Sequence, residues 1–303
     1  MACSMILIAG IVVSAVLLIW AVLAIMCVKL MFFTQKQSYQ DSIDILAQKD
    51  TLFDELALER VEVIGVKEDH LTGYYASLFP ATRKAVVLVH GIRANHIIGL
   101  QYASLFISRG YNILAIDQRA HGLSGGKRCT YGQQEKHDLL AWITLLRERL
   151  GKDCEIGLFG HSMGAATVLC YPELDRNIHF IVADCPYDRF KTFMLHQMRP
   201  LGFAAKPVYA LARLITRLFF HFDPNSINPV EAISNQGKDI PVLFFHSMGD
   251  KAIPYQCAQR MYKTRNNPRD RLYIHKTAAH PDVYADDKEQ YQIVLDEFMT
   301  GFK

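Results

Sequence analysis

Between residues 85 and 275 the sequence places six short runs rich in apolar and β-forming residues, most of them followed by a segment long enough for a helix. Ala85-Val86-Val87-Leu88-Val89 is the clearest: no side chain in it is suited to face water. The others are Asn112 to Ile116, Glu155 to Phe159, Ile178 to Ala183, Val242 to Phe245 and Arg271 to His275. Strands that are continuously apolar, rather than alternating, are those covered on both faces. With helix-length segments at 96–109, 132–150, 163–173, 255–265 and 284–302, the pattern predicts an α/β fold, a mostly parallel central sheet with helices on both faces. Val61 to Ile64 and Gly73 to Ala76 form an opening hairpin around Glu68-Asp69-His70. In such sheets chemistry gathers beyond the carboxyl ends of the strands, so the residues after each run carry the functional information.

Composition narrows the classes before any motif is read. A net charge of +3, from 33 basic and 30 acidic side chains, gives no basic field for nucleic acid. Seven cysteines without a Cys-x-x-Cys pair exclude a disulfide scaffold or zinc ribbon and lean toward a reducing compartment. A mean hydropathy of +0.07 is high for a soluble chain, and the excess sits between Met5 and Val28. Those 24 residues carry no charge and as a helix would extend roughly 36 Å, enough to cross a hydrocarbon core of about 30 Å. A cleaved signal peptide is the competing reading. The length of the run, the lack of a preceding Lys or Arg and of a small-x-small site after it, and Met26 before Cys27 all favour an uncleaved single-pass anchor over 5–28. Lys29 and Lys36 follow the anchor, a weak bias toward a cytoplasmic catalytic domain that leaves both orientations open. Residues 29–59 read as a polar stalk leading to an amphipathic helix with Ile43, Ile45, Leu46, Leu52, Phe53 and Leu56, lying against the domain or the headgroups. Residues 60–302 remain, the size of one α/β domain.

The strand ending at Phe159 runs into Gly160-His161-Ser162-Met163-Gly164, then the helix-forming Ala165-Ala166-Thr167-Val168-Leu169. Gly-x-Ser-x-Gly at a strand–turn–helix junction holds its serine on a sharp, strained turn, exposed at the sheet edge with a helix N-terminus behind it. Serine needs a general base that is itself oriented by an acid, and in this context the chain order is Ser, acid, His. Asp250 follows the buried strand Pro241 to His246, and His280 follows the last strand; these are the expected acid and base. Asp184 ends an earlier strand and competes with Asp250 for the acid's place, which the Gly-Asp-x-x-Ile-Pro turn gives to Asp250. Asp282 and Asp286 read as a helix cap and a solvated face, His275 as structural, and His161 as a packing residue. Donors for a developing oxyanion are expected from the backbone N–H groups of Met163 and of Ile92, in the His90-Gly91-Ile92 loop. No cluster with metal-ligand spacing is present, so no metal or organic cofactor is implied.

Taken in order, His90-Gly91, Asp117-Gln118-Arg119-Ala120-His121-Gly122-Leu123-Ser124, the Ser162 turn, and Asp250 with His280 resemble the α/β-hydrolase superfamily. The second segment is similar to the Asp-x-Arg-x-His-Gly-x-Ser loop of its serine aminopeptidase and monoglyceride-lipase-like esterase branch. Within that loop Asp117 and Arg119 are expected to pair. The resemblance spans about residues 60 to 302, with Ser247-Met248-Gly249-Asp250 in place of the family's more usual His-Gly-x-x-Asp. It implies an α/β-hydrolase fold with a helical cap inserted at about 187–238. In that insertion Phe190 to Met198 and Pro207 to Phe222 have helical spacing, and Leu211, Leu214, Ile215, Leu218 and Phe219 make a wide apolar face beside Arg199, Lys206, Arg213 and Arg217. That face can pack on the domain, wall an acyl site or touch a membrane.

The expected activity is that of a membrane-anchored serine hydrolase acting on a carboxylic ester, with an acyl-lipid as one candidate substrate. The alternatives are a peptidase of short peptides, with Glu173, Asp184, Asp188 or Glu231 receiving a free amino group, and a non-catalytic binding protein on the same fold. The expected partners are the ester or lipid substrate and the membrane, without nucleic acid.

Overall fold

The computed structural model describes residues 2–33, 35–48 and 56–301. Leu52 and Phe53 lie outside them; the strands and helices fall largely where the periodicity puts them. Eight strands among the described residues form one sheet: β1 (Glu59–Ile64), β2 (His70–Ala76), β3 (Lys84–Val89), β4 (Asn112–Ile116), β5 (Glu155–His161), β6 (Phe180–Asp184), β7 (Val242–Ser247) and β8 (Arg271–His275). Their spatial order is β1-β2-β4-β3-β5-β6-β7-β8. The opening hairpin makes the antiparallel edge, β2 pairs antiparallel with β4, and every pairing from β4 to β8 is parallel.

The helices are, in chain order, α1 (Ala2–Phe32), α2 (Tyr39–Gln48), α3 (His96–Leu100), α4 (Ala103–Ile107), α5 (Glu135–Leu150), α6 (Met163–Cys170), α7 (Phe190–Gln197), α8 (Ala205–Phe220), α9 (Pro229–Asn235), α10 (Gln256–Thr264), α11 (Val283–Asp286) and α12 (Lys288–Thr300). Two segments expected as single helices are broken. At 96–109 the amide of Tyr102 bonds the carbonyl of Gly99 rather than one residue further back, which tightens the turn and lets Tyr102 stack on Phe159. At 284–302 Asp287 leaves helical geometry and its side chain caps the amide of Gln290.

The unbroken apolar strands are explained by two cores. Val87 and Val89 of β3 face one of them, with Trp142 of α5, Val168 of α6, Ile233 of α9 and Met261 of α10. Val86 and Leu88 face the other, with Phe106 of α4, Tyr284 of α11 and Tyr291 and Phe298 of α12. Alternate side chains of one strand therefore enter opposite layers.

The cap forms a third cluster, and α1 belongs to it. Ala24, Val28, Met31 and Phe32 are buried against α7 and α8, with Phe32 among the rings of Tyr131, Phe190, Phe220 and Phe222. The helix thus runs past Val28 into the space where a stalk was expected. The part before Ala24 is largely exposed and apolar, and its 22 residues extend roughly 33 Å. By length and composition α1 is capable of crossing a membrane. On α8, Val208, Tyr209, Ala212 and Thr216 face inward, whereas Leu218 and Phe219 are 61% and 70% exposed.

One pairing differs from expectation. Arg119 does not reach Asp117; its guanidinium makes a two-pronged contact with Asp138 of α5 at 2.5 and 2.7 Å, with Asp69 and Gln134 completing the shell. The chain turns after β4, so Arg119 enters the layer under α5 while Asp117 faces α3. Both members of the ion pair are buried. Arg119→Ala is expected to cost about 3–5 kcal/mol of stability, because it strands a buried carboxylate. Arg119→Met combined with Asp138→Leu should recover most of that loss in denaturant melts.

Candidate active site

The chemistry-bearing residues meet where β5, β7 and β8 end. Ser162 sits between β5 and α6 at φ 54° and ψ −119°, a conformation L-residues rarely adopt. Its flanking glycines are there for space. A Cβ on Gly164 would lie 2.1 Å from the carbonyl oxygen of Val89, and one on Gly160 would lie 2.4 Å from the backbone of Gly164. The amide of Ser162 donates to the carbonyl of Asp184 at 2.7 Å, tying the turn to the neighbouring strand.

His280 lies in the loop after β8, whose course is set by His275: its Nδ1 accepts from the amides of Thr277 and Ala278 at 3.3 and 2.9 Å. His280 Nε2 is 2.8 Å from Ser162 Oγ, and its Nδ1 is 2.7 Å from Asp250 Oδ2. A carboxylate on Nδ1 fixes the tautomer with the proton there, leaving Nε2 as an acceptor for the serine hydroxyl.

Asp250 is held from both sides. Oδ1 accepts the amides of Ala252 and Ile253, each at 2.8 Å, and Oδ2 also meets His246 Nε2 at 3.3 Å. Burial opposes its ionisation, but the hydrogen bonds from His246 and His280 and the amide of Ile253 outweigh it and hold the carboxyl well below the usual carboxylate range. Asp184 shows the opposite balance. It is fully buried, and burial lifts its carboxyl to about 6 despite hydrogen bonds from Cys185 Sγ and Tyr291 Oη, each at 3.1 Å. Neighbouring carboxyls driven apart in this way suit different roles, Asp250 the charged one.

Cys185, Asp250 and His280 bring donor atoms within 4.8 Å of one another. The set is ill suited to a cation, because Asp250 and His280 are spent on each other. Burial and the nearby Asp184 and Asp250 carboxyls keep the Cys185 thiol protonated.

Ile92 shares the cavity beside Ser162, and Met163 is the first residue of α6. The loop bearing Ile92 is shaped by His90, whose Nδ1 donates to the carbonyl of Gly91 at 2.7 Å and whose Nε2 accepts from the amide of Gln118 at 2.9 Å. Full burial drives the His90 imidazole down to about 3, so it stays neutral. Asp117 accepts at Oδ1 from the His96 amide and at Oδ2 from Tyr39 Oη, at 2.8 and 2.7 Å.

None of the four carboxylates considered for a free amine lines this cavity. Glu173 pairs with Lys136, Asp188 with Arg260, Asp184 is buried under Tyr291, and Glu231 takes the side chain of Asn228. Asp282 stands at the N-cap of α11, as expected, though without a side-chain capping bond, and it also lines the cavity. The cap insertion supplies no lining residue. Gln37, Ile45 and Leu46, from the segment after α1, do. The amphipathic spacing of Ile45 and Leu46 points to the domain or the headgroups but not to this cavity, and Gln37 reads as part of a polar stalk.

A family model for serine aminopeptidase S33 matches residues 80–238. The Bacillus subtilis protein YqkD is 31% identical over 223 residues, covering 73% of this chain and 72% of that one. A thiohydrolase of Aspergillus aculeatus, aneE, is 33% identical over 110 residues, 35% of each chain. Among solved structures, the Pyrococcus furiosus esterase Pf2001 superimposes with a TM-score of 0.65 at 25% identity, over 83% of this chain and 92% of that one. Est1E of Butyrivibrio proteoclasticus, solved with ferulic acid, gives a TM-score of 0.58 at 18% identity, over 80% and 98%, a likeness of fold.

Proposed function

The chain belongs to the serine aminopeptidase S33 family of α/β hydrolases, and from that premise we propose that it is a membrane-held serine esterase. Ser162 attacks the ester carbonyl, His280 accepts the hydroxyl proton at Nε2 and returns it to the leaving alcohol, and Asp250 orients and stabilises the imidazolium. The oxyanion is received by the amides of Ile92 and Met163. Water then releases the acid from the acyl-enzyme by the same proton path. The observation that carries this reading is the unbroken contact from Ser162 through His280 to Asp250, at 2.8 and 2.7 Å, with the serine on a strained turn. The exposed apolar stretch of α1 supports placement in a bilayer, which favours esters that partition to the membrane surface.

Aminopeptidase activity is the second reading, favoured by one observation: Asp282 brings a carboxylate into the cavity. A single experiment tests the first reading. A fluorophosphonate probe applied to alkaline-washed membranes should label the wild-type chain and leave Ser162→Ala unlabelled. Failure to label wild type, or equal labelling of both, overturns the hydrolase reading; a labelled band released by the wash overturns the anchor. Ester, thioester and aminoacyl-amide panels then separate esterase from peptidase.

A further inference from the structure

The segment that follows α1 is built into the catalytic cavity. Ile45 and Leu46 of α2 line it together with Ile92, Ala94 and Ile98, facing Ser162 and His280. Leu46 is fully buried and packs with Ala94, Ile97 and Ile98. Hydrogen bonds fasten α2 and its approach to the domain, among them Tyr39 Oη to Asp117 Oδ2 at 2.7 Å, Asn95 Nδ2 to Ser42 Oγ at 2.8 Å, and the amide of Gln37 to the carbonyl of Arg93 at 2.9 Å. Two of these anchor points, Arg93 and Asn95, lie in the loop that carries the Ile92 amide. None of α2 falls within residues 80–238, where the family model matches.

We infer that α2 forms the wall of an acyl-binding subsite that takes short acyl groups. This rests on the esterase reading above and narrows its substrate. Among the cavity's lining residues Ile45, Leu46, Ala94 and Ile98 form one apolar cluster, bordered by Gln37 and Gln101, while His280 and Asp282 belong to the loop after β8. His280 must face the leaving alcohol to protonate it, which assigns the acyl chain to the apolar cluster. The volume is about 240 Å³, below the roughly 300–1,000 Å³ of sites for drug-sized ligands. With Leu46 in its wall, the space fits an acetyl to butyryl chain better than a long one. The α2 wall also steadies the oxyanion loop, so chain entry and carbonyl polarisation are set by one element.

The test uses the full-length chain in membranes and p-nitrophenyl acetate, butyrate and octanoate. Wild type should prefer acetate and butyrate over octanoate. Leu46→Trp should lower the butyrate-to-acetate ratio of kcat/KM by about tenfold or more, because one misfitted methylene in an apolar pocket is worth ~10–200-fold. Ile45→Ala and Leu46→Ala should move preference the opposite way, toward octanoate by about tenfold. A variant that merely misfolds would lose all three esters in parallel and would label slowly with fluorophosphonate. Parallel losses with undiminished labelling, an unchanged chain-length profile, or a wild type that prefers octanoate would each overturn the assignment. No turnover of any ester by a wild type that labels would overturn the esterase reading itself, and the subsite with it.

Discussion

Ser162→Ala and His280→Ala are each expected to lower kcat on a carboxylic ester by about 10⁶-fold, and the double variant by hardly more. The near-equality follows from the geometry. Among the described residues Ser162 Oγ has one base within hydrogen-bond reach, His280 Nε2 at 2.8 Å, and without it the hydroxyl keeps its proton and attacks poorly. Without the hydroxyl, the imidazole has nothing to activate but water. Residual catalysis of about 10³–10⁴ over the solution reaction should survive in all three variants, since the Ile92 and Met163 amides remain. Multiplying losses, with the double variant far below either single one, would show that the two groups act independently and would break the proposed mechanism. Steady-state rates on p-nitrophenyl acetate, with fluorophosphonate labelling alongside, measure this.

Asp250→Asn is the second large effect, about 10⁴-fold in kcat at neutral pH, because an amide facing Nδ1 no longer fixes the tautomer that leaves Nε2 free to accept. Asp184→Asn is the contrasting control, expected to keep activity within about tenfold. Its consequence is in stability. The Asp184 carboxyl titrates at about 6 against an ordinary value of 3.8. A group raised on folding contributes stability that is fully present below its unfolded value and lost as pH rises through the folded one. Wild type should therefore lose up to about 3 kcal/mol from this group between about pH 4 and pH 6, and Asp184→Asn should not. Urea melts across that interval measure the difference. A wild type and variant with parallel pH profiles would remove the contrast between the two carboxyls.

The site's residues are readable in the sequence to the extent that local geometry dictates them. Gly160 and Gly164 are forced by the contacts of one turn with its own strand and with β3. The continuous apolar runs are forced by the two layers that each strand must fill. What the sequence does not carry is the identity of partners brought by the fold. Arg119 pairs with Asp138 rather than Asp117, because the turn after β4 sends the two side chains to opposite faces. Asp117 instead meets Tyr39, 78 positions away. The apolar face noted on α8 turns partly outward, while Ile45 and Leu46, from the amphipathic segment after α1, line the cavity. Amphipathic spacing says that a helix has a face to bury, not which surface receives it.

A catalytic domain on a free stalk would swivel over its membrane like a buoy. Here the carbonyl of Phe32 is bonded to the amide of Cys129, and four residues on the Lys36 ammonium reaches the carbonyls of Gly122 and Ser124. Almost no slack is left between α1 and the domain. In a membrane-held enzyme of this build, height and azimuth are fixed together. A bilayer too thin for the apolar stretch of α1, which answers mismatch by tilting, would therefore lean the whole catalytic domain with it and change the angle at which the cavity meets the surface.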